Sequence, residues 1–167
     1  MRSLTISLFV VSLFLCPTGC KRRHGPPAVV TDARAGDPQV AGRFTEGFYA
    51  IEANAWRWTA KDFAVTLNPP PHAAERGARL VMHLVIPDPV IQHSKFVELS
   101  SSIQGLKLDP QVFAKAGQYT YERDVPADKL QGKDVRIDFA VDHTLPPENG
   151  DIRTLGIIVN EVGLVAK

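Results

Sequence analysis

The stretch Val135-Arg-Ile-Asp-Phe-Ala-Val141 decides the fold class of this chain. Apolar side chains occupy every second position in it, and charged or small side chains occupy the positions between. A period of two residues is typical of a β-strand that buries one face and exposes the other. The stretch therefore predicts a strand at the surface of an apolar core.

The same alternation recurs from Gly47 to the end of the chain. Further strands are predicted at 48–52, 56–60, 62–67, 79–86, 96–103, 118–125 and 155–165. In the last of them the phase changes near Asn160 and Glu161, which predicts a β-bulge. Turn signals rich in proline and glycine lie between the runs, and the one helical candidate, at 126–131, is about a single turn. Short strands separated by turns predict an all-β domain, an antiparallel β-sandwich of eight or nine strands with a jelly-roll-like topology.

The first nineteen residues are predicted to be an export signal. An apolar run at 4–16 follows Arg2. It is shorter than the ~20 residues that span a bilayer, but it suits the core of a signal peptide. The predicted organisation is a signal peptide at 1–19, a lipid-attachment cysteine with a flexible spacer at 20–44, and a β-sandwich domain at 45–167.

The signal ends in Pro17-Thr-Gly-Cys20, which resembles the lipobox of bacterial lipoproteins. That resemblance implies that Cys20 carries acyl chains, such as palmitate, and anchors the exported protein in a membrane. Pro17 stands where the family usually has an aliphatic residue, so ordinary signal-peptidase cleavage and an uncleaved anchor are the alternatives. Lys21, rather than aspartate, after the cysteine implies the outer membrane of the cell envelope.

Charge balance excludes nucleic acid as a partner. Of the 19 Lys and Arg residues only Arg2 precedes Cys20, so removing 1–19 leaves 18 basic residues against 18 acidic ones. A nucleic-acid surface needs a basic excess. The two cysteines are Cys16 and Cys20, so the domain itself has no disulfide and depends on its core. Residues 21–44 are rich in Gly, Pro, Ala and Arg without an apolar period, which predicts a disordered spacer.

Trp56-Arg57-Trp58 is the most distinctive patch of the sequence. On a strand both indoles point to one face, about 6.6 Å apart, and Arg57 points to the other. If exposed together with Tyr49, the indoles would form a surface on which sugar rings stack. If buried, they would belong to the core, because aromatic side chains bury the largest areas. Both interpretations stay open at this point.

A second patch, Asp151-Ile-Arg153-Thr-Leu-Gly156, ends a loop at 142–154 that is long for a sandwich connection. Arg153 is predicted either to tie the loop to Asp151, Glu52 or a carbonyl group, or to face a ligand. Oxygen atoms in this loop are of the kind that calcium takes, but they follow no calcium-loop spacing. The five histidines lack zinc spacing, the serines lack a hydrolase elbow and the carboxylates form no assignable pair. No metal, cofactor or catalytic residue is therefore predicted.

An ordered set of motifs supports a comparison with a known group of proteins: Gly47-Phe-Tyr-Ala-Ile-Glu52 followed by 56–60, then Leu67 with the prolines after it, then the pair Pro146-Pro147 followed by 151–159. In order and spacing they resemble a bacterial β-sandwich module that occurs beside glycosyltransferases and other envelope polysaccharide domains. The resemblance spans 47–164 and implies a fold of carbohydrate-binding type in the cell envelope.

The function predicted from these observations is non-catalytic. We expect an exported binding or accessory protein, with glycan as the ligand class. The candidate ligand-binding residues are Tyr49, Trp56, Arg57, Trp58 and Arg153. The alternative is a structural module that docks an envelope protein through a sheet edge or a loop.

Overall fold

Residues 29–167 are described by the computed structural model; the predicted signal peptide, Cys20, Lys21 and the first part of the predicted spacer lie outside them. The described chain forms nine strands: β1 Asp32–Arg34, β2 Phe44–Phe48, β3 Arg57–Leu67, β4 Ala78–Ile86, β5 Val97–Ile103, β6 Leu106–Phe113, β7 Gly117–Val125, β8 Val135–Val141 and β9 Ile158–Ala166. Two short helices, α1 Ala73–Arg76 and α2 Asp88–Ser94, and 3-10 turns at Pro38–Arg43 and Ala127–Lys129 lie between strands. None of the helices in this part of the chain has the length and apolarity to cross a membrane.

The strands pair antiparallel in two layers that share β3. The first layer has the order β7-β4-β9, and both β1 and the start of β3 pair with the remaining edge of β9. The second layer has the order β6-β5-β8-β3, and β2 also pairs with β3. The chain passes from one layer to the other six times, between β1 and β2, β3 and β4, β4 and β5, β6 and β7, β7 and β8, and β8 and β9. The prediction of an antiparallel, jelly-roll-like sandwich of eight or nine strands is confirmed.

The core lies between the layers and follows the alternation of the sequence. In β8 every second residue from Val135 to Val141 is buried, and β4 and β5 repeat the pattern. Phe63 and Phe139 stack in the second layer with ring centroids 5.2 Å apart. The Tyr121 hydroxyl lies 2.8 Å from Ser101 Oγ and joins the two layers inside the core. A hydroxyl pair there satisfies two polar groups that burial would otherwise destabilise.

The predicted bulge in β9 is confirmed. The pairing with β4 shifts from His83 opposite Glu161 to Leu84 opposite Val159, which leaves Asn160 without a partner residue in β4. A bulge bends the strand locally and redirects the side chain of the extra residue. The bulge, rather than the regular alternation of the strand, therefore sets the direction of the Asn160 side chain.

The predicted spacer is wrong over residues 32–44. β1 pairs with β9, Ala33 and Ala35 are completely buried, and Phe44 begins β2. The small residues that suggested a spacer are there because the chain packs closely: a Cβ atom on Gly36 would lie 2.4 Å from the Asn54 carbonyl oxygen. Small side chains are thus required by contact in this stretch, and they give no apolar period for a sequence pattern to detect.

Three further details differ from the sequence-based expectation. The predicted strands at 56–60 and 62–67 are the single strand β3, and the strand expected at 48–52 is β2, which ends at Phe48. The turn signal at Asp109-Pro110 lies inside β6 rather than between strands. β6 is an edge strand, and its pairing with β5 shifts register at this point. Edge strands and bulges are the settings in which a strand tolerates proline. The prolines at 87–89 begin helix α2, where proline suits the first turn.

Candidate functional site

A hairpin between β2 and β3 holds the three aromatic residues that the sequence singled out. The Tyr49 N–H donates to the Trp58 carbonyl oxygen at 3.0 Å, and Glu52 forms a bridge with Trp56. The ring centroids of Trp56 and Trp58 are 6.3 Å apart, but their planes meet at 79°. All three aromatic side chains are half-buried. The structure therefore brings them together, with the indoles edge to face rather than as one flat platform.

Strand register extends this cluster across the outer face of the first layer. Trp58 pairs with Ile158, Ile158 with Val85, and Val85 with Gln118. Directly paired residues present their side chains on the same face of a sheet, and Tyr49 adjoins Trp58 from the hairpin side. We call Tyr49, Trp58, Ile158, Val85 and Gln118 the outer row. At ~4.8 Å per strand the row extends about 14 Å from Trp58 to Gln118.

A shallow depression of about 370 Å³ adjoins the end of the outer row. Its lining includes Val85 and Gln118 of the row together with His83, Thr120 and Asn160. His83 Nδ1 lies 3.2 Å from Thr120 Oγ1, and Asn160 is the bulge residue of β9. An amide pair, an imidazole and a hydroxyl beside an apolar strip are the mixture that small polar ligands require.

Arg153 ties the loop at 142–157 to the hairpin. Its guanidinium donates to both carboxylate oxygens of Asp151, at 2.7 to 3.1 Å, and to Glu52 Oε1 at 2.7 Å. It also lies over the Tyr49 ring, 5.3 Å from the centroid, while the Tyr49 hydroxyl donates to the Thr154 carbonyl oxygen. The hydrogen bonds that Arg153 donates to Asp151 and Glu52 raise its pKa. The structure thus supports the tie rather than a ligand-facing role, and the tie fixes Tyr49.

The Arg153–Asp151 tie is expected to resist acid. Hydrogen bonds from Arg153 lower the pKa of Asp151 to about 2 in the folded chain, below the ~3.9 of an unfolded chain. A lowered folded pKa gives stability that is complete above the unfolded value and is lost as the pH falls through the folded one. The melting temperatures of the protein and of Asp151→Asn should therefore differ by a constant amount down to about pH 5 and converge toward about pH 2. A difference that persists at the acid end would contradict the assignment.

Arg57 is not part of this cluster. Its Nε donates to the Ala35 carbonyl oxygen at 3.0 Å and its Nη1 to the Tyr49 carbonyl oxygen at 3.1 Å. The guanidinium also lies over the Phe44 ring, and burial lowers the pKa of Arg57. The predicted alternation already turned Arg57 away from the indoles. In the structure its donors are used by backbone carbonyl groups, so we leave it out of the site.

A larger concavity, of about 480 Å³, lies on the outer face of the second layer. Its lining comes from five strands and combines charged and hydroxyl side chains with apolar groups such as Leu108 and Pro110, and we call it the groove. The side chains that face it are those of Glu46, Asp62, Glu98, Ser100, Ser102, Lys107, Arg136, Asp138 and Ala140. Sequence reasoning missed the groove because these residues are the outward positions of five separate strands. The outward-facing serines at 100 and 102 were its only local signal.

Metal binding finds no support in the part of the chain that the structure describes. No three His, Cys, Asp or Glu side chains between residues 29 and 167 gather in a way that could hold an ion. Asp142, one of the calcium candidates, accepts a hydrogen bond from the Glu98 N–H at 2.7 Å, and Asp151 is bound to Arg153. These oxygen atoms are directed at protein donors.

No family model and no curated protein sequence matches this chain. Among solved structures it is similar to a carbohydrate-binding module described as "CBM4 structure and function", with a TM-score of 0.39 and 14% sequence identity over 81% of this chain and 85% of that one. A likeness of that size transfers no residue role. The resemblance to modules beside glycosyltransferases stays a prediction.

Proposed function

We propose that this domain binds glycan without catalysis, through the outer row and the depression beside it. The observation that carries the proposal is the half-buried aromatic and aliphatic strip that ends among uncharged hydrogen-bonding groups. A sugar ring has apolar C–H faces and a rim of hydroxyl groups. Trp58, Ile158 and Val85 can cover such a face, while Gln118 and Asn160 can bond the hydroxyls.

The row is also held in place before any ligand arrives. The Tyr49 hydroxyl is bonded to Thr154, and Arg153 covers its ring. Trp58 packs against the core, and Ile158 and Val85 lie in paired strands. A site built on fixed elements loses little conformational entropy on binding, so modest contacts suffice for affinity.

Electrostatics favour an uncharged ligand at this face. The outer row contains no charged residue, and the charges beside Tyr49, on Arg153, Asp151 and Glu52, are used in mutual ion pairs. A neutral saccharide that binds here therefore breaks none of these ion pairs.

The edge-docking alternative is less favoured by the contacts. One edge strand of each layer, β6 and β7, lies next to the other, and Arg123 on β7 donates to the carbonyl oxygens of Asp109 and Pro110 on β6. Backbone acceptors that an added strand would need are used there, which protects the edge.

We extend the proposal to the setting. The apolar leader, the Pro17-Thr-Gly-Cys20 motif and the charge balance support an exported protein that is lipid-anchored at Cys20 in the cell envelope, with Lys21 favouring the outer membrane. The mass of the membrane-extracted protein tests the lipid.

Replacing Trp56 tests the glycan site through Trp58 of the outer row, against which Trp56 packs edge to face. Both tryptophans of the chain lie in this cluster, so their fluorescence reports on it. Once a glycan array has named a sugar, Trp56→Ala should weaken its binding about tenfold, because an aromatic contact contributes roughly 1–1.5 kcal/mol. Trp56→Phe should keep most of the affinity. Trp58 is a poorer test because it packs against the core.

The matched control is Phe96→Ala. Phe96 is also exposed, at 42%, but it precedes β5 in the second layer and contacts His143. It should leave the titration unchanged. An array without any binding, or Trp56→Ala titrating like the unaltered protein, would refute the proposed site.

A further inference from the structure

We propose that the groove on the second layer is a second binding site, separate from the outer row, and that it takes a saccharide segment bearing protonated amines. This second site goes beyond the proposed function, since it lies on the opposite layer and has a different ligand chemistry. The inference rests on the proposed function only in taking the ligand to be a saccharide.

The shape of the groove follows from strand register. Ala140 lies opposite Asp62 on one side and Ser100 on the other, and the next row across holds Asp138, Ser102 and Lys107. The middle positions are therefore small side chains, and longer ones rise on both sides of them. A trough of about 480 Å³ results, within the ~300–1,000 Å³ typical of ligand sites.

One wall of the trough contains an ion-pair cluster. Arg136 donates to Glu46 at 2.5 Å and to Asp138 at 2.6 Å, so a single guanidinium joins β2 and β8. A carboxylate has more acceptor sites than these bonds use, so this wall can still accept hydrogen bonds from a ligand.

The charges that are left over define the ligand. Four carboxylates face two cations in the lining. After Arg136 is assigned to Glu46 and Asp138, the groups without an ion pair among the described residues are Asp62, Glu98 and Lys107. The excess is negative, so the groove attracts an amine and repels a phosphate or uronate.

The chemistry of recognition differs from that of the outer row. Phe63 and Phe139 touch the groove only from beneath, because their side chains lie in the core, where each is at most 3% exposed. No aromatic face is thus available for stacking in the groove. Ser100 Oγ donates to the Ala140 carbonyl oxygen at 3.3 Å and can still accept. Binding in the groove depends on hydrogen bonds that Ser100 and Ser102 accept and on carboxylate–ammonium pairs, which fits an amino sugar with free amines.

Two tetrasaccharides that differ only in charge provide the test. The glucosamine tetramer carries amines that are protonated at about pH 6, and the N-acetylglucosamine tetramer carries none. Amide chemical shifts of the ¹⁵N-labelled protein should move at Ser100, Ser102 and Ala140 with the first tetramer. Its affinity for the groove should be at least about fivefold higher than that of the acetylated tetramer, and it should fall as salt is added.

Asp62→Asn combined with Glu98→Gln should abolish this difference. Glu148→Gln, an exposed carboxylate in the 142–157 loop, should leave it intact. The proposal would be overturned if the glucosamine tetramer left the amide chemical shifts of Ser100, Ser102 and Ala140 unchanged, or if the two tetramers bound with equal affinity. The proposal for the outer row has its own readout. It fails if no sugar on the glycan array changes the amide chemical shifts of Val85 and Ile158, so the two proposals can fail independently.

Discussion

Gly47→Ala is expected to be the most destabilising small substitution in this domain. Gly47 has φ +68°, and a Cβ atom there would lie 2.0 Å from the Asp62 carbonyl oxygen and 2.7 Å from Phe63 Cα. Both neighbours belong to the backbone of β3, which is paired on its other edge with β8 and cannot move aside. Left-handed strain and overpacking together should cost roughly 3–5 kcal/mol of unfolding free energy. Thermal unfolding should then occur about 10 °C or more below that of the unaltered protein.

Gly105→Ala separates the cost of left-handed backbone strain from the cost of the steric clash expected in Gly47→Ala. Gly105 has a comparable φ of +77°, but an added Cβ atom there would meet nothing within 4 Å. It should cost only about 1 kcal/mol, the strain of the left-handed region. Equal melting temperatures for the two variants would show that β2 does not press on β3 as closely as the structure has it.

Asn68→Ala is expected to release the first strand from the domain. Asn68 is 5% exposed, and its side-chain oxygen accepts from the Val30 N–H at 2.6 Å while its amide donates to the Lys133 carbonyl oxygen at 2.7 Å. Alanine leaves both backbone groups without this partner, which should cost about 2–4 kcal/mol. Hydrogen exchange should accelerate at Ala33 and Ala35 before it does so in β8.

Arg43→Ala provides the graded comparison. Arg43 donates to Asn68 Oδ1 at 3.2 Å and to Asp134 at 2.8 Å, but its loss leaves the Asn68 bonds to Val30 and Lys133 in place. We expect about 1 kcal/mol or less from it. If Arg43→Ala destabilised the domain as much as Asn68→Ala, the amide of Asn68 would not be the group that holds β1.

The layers of the fold were predictable because burial imposes a local pattern. The alternation in β8, and in Leu80 to Ile86 of β4, specifies both the strand and its inward face, and the bulge at Asn160 is visible as a change of phase. The folded stretch at 32–44 carries no such pattern, because its small residues serve close contacts with other parts of the chain, such as Ala33 beside Val162 and Gly36 beside Asn54. Long-range contact of this kind leaves no trace in nearby sequence.

The candidate site was likewise predictable from the sequence only in part. Spacing of two residues placed Trp56 and Trp58 on one face and Arg57 on the other, and the loop composition indicated that Arg153 ties to Asp151 or Glu52. The rest of the outer row depends on register between four strands. Ile158 is about 100 residues from its partner Trp58, and no local signal pairs them.

The length of β3 sets the standoff of the ligand. At ~3.3 Å per residue its eleven residues reach about 33 Å, with Trp58 near one end and, just past the other, Asn68 holding Val30. Whatever precedes residue 29 thus joins the molecule some 30 Å from the aromatic strip. A polymer chain bound at the proposed glycan site would therefore lie at the opposite end of β3 from any anchor that precedes residue 29.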